Sequence, residues 1–573
     1  MKTRMRRFLL LLLAWSSSVG TAAAVESGSL LSQNSFGLYY LEDPFDLTLN
    51  PAFISEIDRW RLFTNLSNYE EGNSYLVGTS GRLGSGSLGL FAELDREMLK
   101  ETSEHASDLT TDYPSGMGGP NDVLTTAESE ASRFETESNR QAFTLTYGRK
   151  FGSFSLGASY RPTFTEGKTT LKGSLDEDPD YDGDPLWWSR PSFATDIGPG
   201  ANYAWSRSET RSGQGGQGVL QAGAESEAFE GNAESDEDRH VLELGAQIRA
   251  IAGLPVWIRL GAASVKRTVN GSGAYRYSLS ERGKDPYGFV NTESRTSTWA
   301  GNPLGSSGNH AFDGTEWFLD VVPRYALGKS VTLELGMGLG MQQGDVTARW
   351  SQDVAIDRTL HAERSETWQG TQHLLHSFDG DGEATSYSVA PRLYLSYGAA
   401  EFALGLAYTS TRDEVDGKQR SDGTMSWSHA DGRDGDWIYE GSTTARGDRS
   451  LEFSKTVVSF PVATRFKVTD KLELRAGAEF TQVTERTKTS ITAREDEQFT
   501  IRDSAGRLLR EGPATRGSTD TTSLESSSGT TRYRLGAGYR ATENLQFDLL
   551  FSRSRGDGGV DTTVVYASAV LAF

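Results

Sequence analysis

The chain has 573 residues, no cysteine and a net charge of −21. Without cysteine it forms no disulfide, thiolate zinc site, iron–sulfur cluster or covalent c-type haem of its own. The negative charge argues against nucleic acid as a partner, because phosphates require a basic surface. Apolar residues make up only 36%, and no segment after residue 24 is long and apolar enough for a membrane helix.

The first residues have the pattern of a secretory signal peptide. A basic start, residues 1–7, precedes the apolar run Phe8 to Trp15, and Ala22-Ala23-Ala24 supplies the small residues of a cleavage site. We therefore expect residues 1–24 to be removed after Ala24. This segment carries four basic and no acidic residues, so its removal changes the net charge from −21 to −25.

From residue 60 onward, apolar and polar residues alternate in many short stretches. Two clear examples are Phe154-Leu156-Ala158-Tyr160 and Leu242-Leu244-Ala246-Ile248. Such stretches suit the ~9–11 residues of a tilted membrane strand, whose alternate residues face lipid. The pattern predicts an all-β fold: an antiparallel transmembrane β-barrel in the outer membrane of a Gram-negative-type bacterium.

The connections between these strands alternate in length. Short turns such as Phe151-Gly152-Ser153 are typical of the periplasmic side, and long loops of the outside. Counting gives 16 strands between residues 58 and 573, with 14 as the alternative. We expect long extracellular loops of roughly 35 to 70 residues near 97–138, 167–237, 269–314, 351–384, 412–451 and 489–528.

The last predicted strand ends on an aromatic residue, Phe573, with Tyr566 in the same strand. This ending resembles the recognition signal of bacterial outer-membrane barrels. The resemblance implies the barrel-assembly machinery as a partner, in addition to outer-membrane lipid and lipopolysaccharide.

Charged residues occupy the second face of the alternating strands. On the lipid face an Arg at mid-depth would cost roughly 2–4 kcal/mol, so we expect these side chains to line the lumen. We also expect the arginines to pair with Glu243, Glu334, Glu473 or Glu479, since an unpaired charge in a confined space is costly. The predicted lumen-facing residues are Arg161, Glu243, Arg249, Arg259, Arg324, Glu334, Arg392, Arg465, Glu473, Arg475 and Arg534.

A motif precedes the first strand. Glu42-Asp43 is followed by Asn50-Pro51-Ala52, which resembles the N-terminal signature of the long-chain fatty-acid transporter superfamily, with its FadL/TodX hydrocarbon channels and PorV-like proteins. Phe53-Ile54 stands where the family has Gly-Leu. The resemblance implies that residues 25–57 form a hatch folded into the lumen of a barrel of residues 58–573. The alternative is an Asn-Pro turn leading from a periplasmic tail into the barrel.

Three functions fit these features. The first is passive diffusion of small molecules, hydrophobic ones included, through a hatch-bearing barrel. The second is a hydrophilic porin-like channel, and the third is a non-conducting barrel that anchors surface proteins or complexes. An apolar row inside the barrel would favour the first; a continuous charged lumen without a plug would favour the second, and a plugged, dry lumen the third. The cargo is not identified by the sequence.

Metal binding and catalysis have little support. Asp178, Asp180, Asp182 and Asp184 have the spacing that opens a calcium loop, although Ser189 replaces the usual bidentate Glu. Weak loop-bound calcium is one interpretation, and a solvated acidic loop is the other; no further cofactor is predicted. No histidine lies beside a serine and a carboxylate on one strand face, so we predict no enzyme. Loop tryptophans pack long loops or form an aromatic entry site; they are Trp187, Trp188, Trp205, Trp299, Trp368, Trp427 and Trp437.

Overall fold

The computed structural model describes residues 50–57, 59–69, 72–112, 123–182, 220–251, 254–283, 290–302, 311–361, 365–430, 436–556 and 561–572. In these ranges the chain forms one short 3-10 helix, Pro51–Glu56, and a single sheet of strand segments β1 to β18. No helix there is long and apolar enough to cross a membrane. The strand segments are β1 Arg61–Tyr69, β2 Gly72–Leu83, β3 Gly86–Asp112, β4 Val123–Phe151, β5 Phe154–Asp182, β6 Leu220–Ile251, β7 Leu254–Gly283, β8 Val290–Asn302, β9 Ala311–Ala326, β10 Val331–His361, β11 Ser365–Tyr397, β12 Ala400–Gly405, β13 Ala407–Ala430, β14 Trp437–Lys467, β15 Leu472–Asp503, β16 Leu508–Thr542, β17 Leu545–Gly556 and β18 Asp561–Ala572.

The sheet closes into a barrel because β1 pairs with both β2 and β18. All pairs are antiparallel. The segments β8 and β9 both lie between β7 and β10, so together they occupy one strand position. The segments β12 and β13 likewise share the position between β11 and β14. Over the described residues, eighteen segments therefore occupy 16 positions, which confirms the predicted strand number and the all-β barrel.

The two interruptions have different causes. Leu406, between β12 and β13, lies opposite Pro391 in a register that continues unchanged on either side. Proline has no N–H to donate to the ladder. Between β8 and β9 the register against β10 shifts, from Arg349↔Asn302 to Thr347↔Ala311, so this position carries extra residues. Only the first interruption leaves the wall in register.

The alternating residues separate as predicted. Leu242, Leu244, Leu339 and Leu535 each expose more than half of their surface on the outside of the wall, whereas Glu243 beside them is buried. At the short-turn end, glycine at positive φ opens the turns at Gly84, Gly152 and Gly398, where residues with a side chain would be strained. The outward apolar band is the lipid-facing surface of a transmembrane barrel.

The predicted long loops differ from the expectation, because their described residues lie almost entirely in strands. Strands β11 and β16 contain 33 and 35 residues, three times the ~9–11 that cross a membrane. Residues 351–384 belong almost entirely to β10 and β11, and 489–528 to β15 and β16. Polarity alone suggested loops, since strands beyond the membrane need no apolar face. The barrel wall therefore continues well past the lipid-facing band.

This extension is incomplete on one side. Strands β17, β18, β1 and β2 have only 12, 12, 9 and 12 residues. The β2–β3 ladder ends at Gly72↔Glu97, and the β16–β17 ladder ends at Thr530↔Gly556. Over the described residues, the parts of β3 and β16 beyond these points, at the end away from the short turns, have no strand between them. Pro513 lies on this free part of β16, which fits the confinement of proline to sheet edges.

Candidate transport site

The Asn50-Pro51-Ala52 motif begins the 3-10 helix at the short-turn end of the barrel. The Asn50 side chain caps the helix, because its Oδ1 accepts a hydrogen bond from the Ala52 amide at 2.9 Å. Its Nδ2 donates to the carbonyl oxygen of Ile258 in β7 at 3.2 Å. Pro51 occupies the first helical position, where no N–H is needed. One side chain thus caps the helix through Oδ1 and fixes it to the inner wall through Nδ2.

A row of glycines forms the wall under this helix. Gly148 is paired with Gly157, and Gly157 is paired with Gly245, so the three lie side by side in β4, β5 and β6. A Cβ at Gly157 would overlap the Pro51 backbone, and one at Gly245 would overlap Asn50 and Ala52. The motif can approach only because these positions have no side chain. The sequence analysis missed this row, although glycine on the inward face of three successive strands was a readable signal.

The other side of the helix packs on apolar residues. Phe53 and Ile54 are 2% and 0% exposed, and Phe53 meets the Trp257 ring edge-on at a centroid distance of 6.2 Å. The same cluster contains residues of five wall strands, Phe63, Leu76, Phe91, Trp257 and Val322. Contacts with inward residues of β1 to β7 and β9 place residues 50–57 inside the barrel, against one side of the wall.

Polar contacts tie the end of the helix to the wall. Ser87 Oγ donates to the carbonyl of Ile57 at 2.8 Å, and Lys150 Nζ lies 2.9 Å from the Glu56 carboxylate. The first half of the predicted motif, Glu42 and Asp43, lies outside the described residues, as does the rest of 25–49. The structure therefore locates Asn50, Pro51 and Ala52 only.

The predicted lumen-facing charges point inward wherever their side chains are described; the side chain of Arg249 is not among these. Arg161, Glu243 and Glu334 are 7%, 5% and 1% exposed. Outward neighbours such as Leu242 and Leu244 are exposed, which fixes the direction of each face. The inward residues are Arg161, Glu243, Arg259, Arg324, Glu334, Arg392, Arg465, Glu473, Arg475 and Arg534.

Most of these arginines contact a carboxylate. Arg392 lies 2.9 Å from Glu334, and Arg534 lies 3.7 Å from Glu479, as expected. Arg475 contacts Glu473, also as expected, and lies 3.3 Å from Asp548. Three partners were not among the expected carboxylates. They are Asp548, Glu401, which lies 2.5 Å from Arg465, and Asp320, which lies 2.7 Å from Arg259. Arg259 also lies 3.9 Å from the expected Glu243.

The two remaining arginines, Arg324 and Arg161, interact with an aromatic ring or with carboxylates at longer range. The Arg324 guanidinium lies over the Tyr394 ring, 5.6 Å from its centroid, and interacts electrostatically with Glu334. Arg161 interacts with Glu93 and Glu243. The unforeseen partners Glu401 and Asp320 are direct cross-strand neighbours of Arg465 and Arg259, and the sequence did not give the register that pairs them.

Beyond the lipid-facing band, the inside of the barrel becomes apolar. Val346, Ala348, Phe378 and Val415 are 0% to 2% exposed and belong to one buried cluster. Phe378 rests on glycine, since its ring would meet a Cβ at Gly380 or Gly417. The cluster draws residues from seven strand segments: Val241, Ala263, Val265, Phe312, Phe318, Val346, Ala348, Trp350, Phe378, Val415 and Leu451. The inner wall therefore carries a buried apolar section at this level, beside buried ion pairs such as that of Arg267 with Glu237.

The proposed calcium ligands do not form a loop. Asp178, Asp180 and Asp182 lie in β5 in register with β4, where successive alternate residues are spread along one strand. Asp184 lies outside the described residues. Within the ranges that the structure covers, no group of three or more His, Asp or Glu side chains is placed to hold a metal. The tight turn that a calcium loop needs is absent at Asp178–Asp182, so calcium binding there would require another geometry.

At the C-terminus, Tyr566 lies in β18 opposite Ser67 of β1, where the barrel closes. Phe573 falls outside the described residues. Trp187, Trp188 and Trp205 do so as well, whereas Trp299, Trp368, Trp427 and Trp437 lie in strands rather than loops. The role of Phe573 in barrel assembly stays a prediction.

Comparisons with known proteins give distant similarities only. No family model matches the chain, and no curated protein matches it. Among solved structures, the chain is similar to the CymD monoaromatic hydrocarbon channel, with 12% identity over 92% of each chain and a TM-score of 0.29. It is also similar to the toluene transporter TodX of P. putida, with 11% identity over 91% of this chain and 92% of that chain and a TM-score of 0.28.

A third similar structure is a ferric enterobactin receptor, PfeA, of Pseudomonas aeruginosa. It has 9% identity over 90% of this chain and 82% of that chain, with a TM-score of 0.21. At these identities and TM-scores the likeness says nothing of cargo or mechanism.

Proposed function

We propose that this protein is an outer-membrane channel that passes small hydrophobic molecules by passive diffusion and is gated by a hatch. The apolar section around Phe378 and Val346 carries the proposal. A water-filled porin would expose such side chains to water at about 25 cal/mol per Å², whereas an apolar cargo could replace their mutual contacts.

The position of residues 50–57 against the inner wall supports the proposal that a hatch gates the channel. A hatch must be held specifically and yet be displaceable. Asn50 and Glu56 contact the wall at the two ends of a 3-10 helix of two turns, and Phe53 and Ile54 pack on the wall between them. These contacts are specific, and all of them are non-covalent. We infer that residues 25–57 form the hatch, that residues 1–24 are a cleaved signal, and that the short-turn end faces the periplasm.

The test uses a chain that lacks Gly28–Glu56. In planar bilayers, the deletion should raise single-channel conductance sharply, because a 16-strand barrel is wide enough for an aqueous channel once unplugged. The intact chain should conduct ions poorly and still speed the uptake of an uncharged fluorophore, N-phenyl-1-naphthylamine, by cells. A matched control replaces the exposed Asn544 by Ala and should behave as the parent. High conductance of the intact chain would overturn the proposal in favour of a porin.

The burial of both apolar clusters also favours a second candidate, a non-conducting barrel that anchors other surface proteins. Phe53 and Ile54 close the short-turn end, and Val346 and Ala348 are inaccessible further along. For this function, the intact chain would neither conduct nor speed uptake of the fluorophore, and deletion of the hatch would leave uptake unchanged. Uptake by the intact chain therefore separates the two candidates.

A further inference from the structure

Near the far ends of the strands, inward-facing side chains form one lateral row across six wall positions. Successive cross-strand pairs join Glu293 to Arg358, Arg358 to Trp368, Trp368 to His429 and His429 to Trp437. Trp437 is in turn paired with Asp503. Each member comes from a different strand segment: β8, β10, β11, β13, β14 or β15. We call these six residues the mouth row.

The rings of the mouth row are in mutual contact. The centroids of Trp368 and His429 are 5.1 Å apart, and those of His429 and Trp437 are 5.6 Å apart in a stacked arrangement. The Arg358 guanidinium lies 5.3 Å from the Trp368 centroid. All three rings are only partly buried. The row thus presents indole and imidazole surfaces toward the lumen, between a cation and carboxylates.

The polar atoms of the row are only partly matched within the described chain. The Nδ1 of His429 is buried and has no hydrogen-bond partner there, and the same is true of Arg358 Nε apart from a long contact of 3.8 Å with Glu293. Closer to the membrane, on the same two strands β10 and β11, the ring of Trp350 stacks on that of His376 with the centroids 4.8 Å apart. The Nδ1 of His376 is also buried and has no hydrogen-bond partner within the described chain. A buried polar atom without a partner is costly, and in native structures it calls for a physical explanation.

A hydrocarbon would stack on the partly exposed rings but would make no use of the charged groups beside them, Arg358 and the carboxylates at the two ends of the row. The buried Nδ1 of His429 and Nε of Arg358 are out of reach of any ligand. A pyranose ring uses both the rings and the charged groups. Its C–H face packs on an indole, and its hydroxyls donate to an imidazole nitrogen or a carboxylate and accept from a guanidinium. We propose that the mouth row binds a sugar ring of a glycan. This binding site is separate from the apolar section and goes beyond the proposed channel function.

Two sources could supply such a ring, a free oligosaccharide or the polysaccharide of lipopolysaccharide. The full-length protein in detergent is titrated with maltohexaose and, separately, with lipid-free polysaccharide released from the lipopolysaccharide of the producing bacterium. Tryptophan fluorescence is the readout, because Trp368 and Trp437 are in the row. A saturable change with either ligand is expected, and the ligand that binds more tightly identifies the source.

Substitutions then locate the site. His429→Phe keeps a ring of similar size and removes the nitrogens, and we expect it to weaken binding about tenfold, or about 1.4 kcal/mol. Trp368→Leu should weaken binding at least as much. The matched controls are Trp299→Leu, a buried tryptophan further along β8 that packs on Gly273 and is outside the mouth row, and His240→Phe, whose native ring stacks on Tyr160. Neither substitution should change the affinity.

Three results would overturn the proposal. They are the absence of a saturable change with both saccharides, equal losses in the Trp299→Leu control, and undiminished affinity in His429→Phe. Folding of every variant is checked by its heat-modifiable mobility on gels. Ion conductance is not involved in any of these measurements, so a failure here leaves the channel proposal untouched, and the reverse also holds.

Discussion

The amide of Asn50 joins two parts of the chain that are 208 residues apart, because its Nδ2 donates to the carbonyl oxygen of Ile258. The side chain of Ile258 faces outward on β7, and Asn50 binds the backbone carbonyl of this lipid-facing residue from inside the barrel. The other end of the same amide caps the 3-10 helix. One side chain therefore couples the local fold of the segment to its position in the barrel.

Replacing Asn50 by Ala should loosen this segment without affecting the barrel. Loss of a helix cap costs about 1 kcal/mol, and loss of a hydrogen bond to a buried carbonyl costs a comparable amount. We expect more frequent opening events in single-channel recordings, with unchanged thermal stability of the barrel. An Asn544→Ala control removes an exposed contact with Arg59 and should leave the recordings as they are. Identical recordings for both variants would show that Asn50 does not hold the segment.

The glycine row allows a sharper test. A side chain at Gly157 would occupy the space of the Pro51 backbone, so Gly157→Leu should expel the 3-10 helix and raise conductance toward the level of the deletion variant. Gly336→Leu is the matched control, because β10 faces the lumen there and a Cβ meets only Ala390 at 3.4 Å. Limited proteolysis should cut near residues 50–57 in Gly157→Leu alone. Resistance of both variants to protease would contradict the proposed seat.

The fold was largely predictable from the sequence because lipid imposes a period of two on every membrane strand. Leu242 and Leu244 are exposed and Glu243 is buried, as alternation requires. Outside the membrane this constraint disappears. Strand β16 between Leu508 and Gly529 is rich in Ser and Thr and mostly exposed on both faces. Its sequence is compatible with loop and strand alike, and only cross-strand pairing decides between them.

The site was predictable only in part, for a related reason. Asn50-Pro51-Ala52 is local in sequence and could be read directly. The glycine row and the pairing of Arg465 with Glu401 depend on register between strands. Register in turn depends on strand lengths that were misjudged beyond the membrane. Contacts between side chains of neighbouring strands are therefore the feature of the site that could not be predicted from a single sequence.

The ion pair of Glu334 and Arg392 should be a strong stability determinant when only one partner is removed. Glu334 is 1% exposed, and its carboxylate also lies near the Tyr394 hydroxyl at 3.4 Å. Arg392→Met removes the hydrogen-bonded cation of this buried carboxylate and leaves only the weaker attraction of Arg324. Breaking a buried pair in this way typically costs about 3–5 kcal/mol, and Arg324 should keep the loss near the lower value. The double variant Glu334→Gln with Arg392→Met should recover most of the loss.

The measurement is the denaturant midpoint of each variant in detergent. A double-mutant cycle isolates the pairwise contribution. Arg486→Met serves as the control, since Arg486 and Glu525 are more than half exposed and such surface pairs contribute about 0–1 kcal/mol. Equal effects of Arg392→Met and Arg486→Met would show that the lumen is as well solvated as the outer surface.

The last prediction concerns pH. Asp413 faces the inside just beyond the lipid-facing band, and burial raises the pKa of its carboxyl to about 6, against the opposing attraction of Arg267. In the unfolded chain the pKa of an aspartate is about 3.9. Between these values the folded state binds more protons than the unfolded state, so stability falls as pH rises from about 4 to about 6. Above about pH 6 the full loss of folding stability from the ionised Asp413 carboxylate is present, and below about pH 4 this loss is absent.

Asp413→Asn should remove this dependence. At pH 7.5 the variant should be more stable than the parent by at most about 3 kcal/mol, from about 1.4 kcal/mol per pKa unit. At pH 3.5 the two should be equal. Urea midpoints of both chains between pH 3.5 and 8 measure the difference, and Asp422→Asn is a control at an exposed position where Arg420 lowers the aspartate pKa. If the stability difference between Asp413→Asn and the parent were constant over this range, Asp413 would titrate normally in the folded barrel, and the inside of the wall at that level would be open to water.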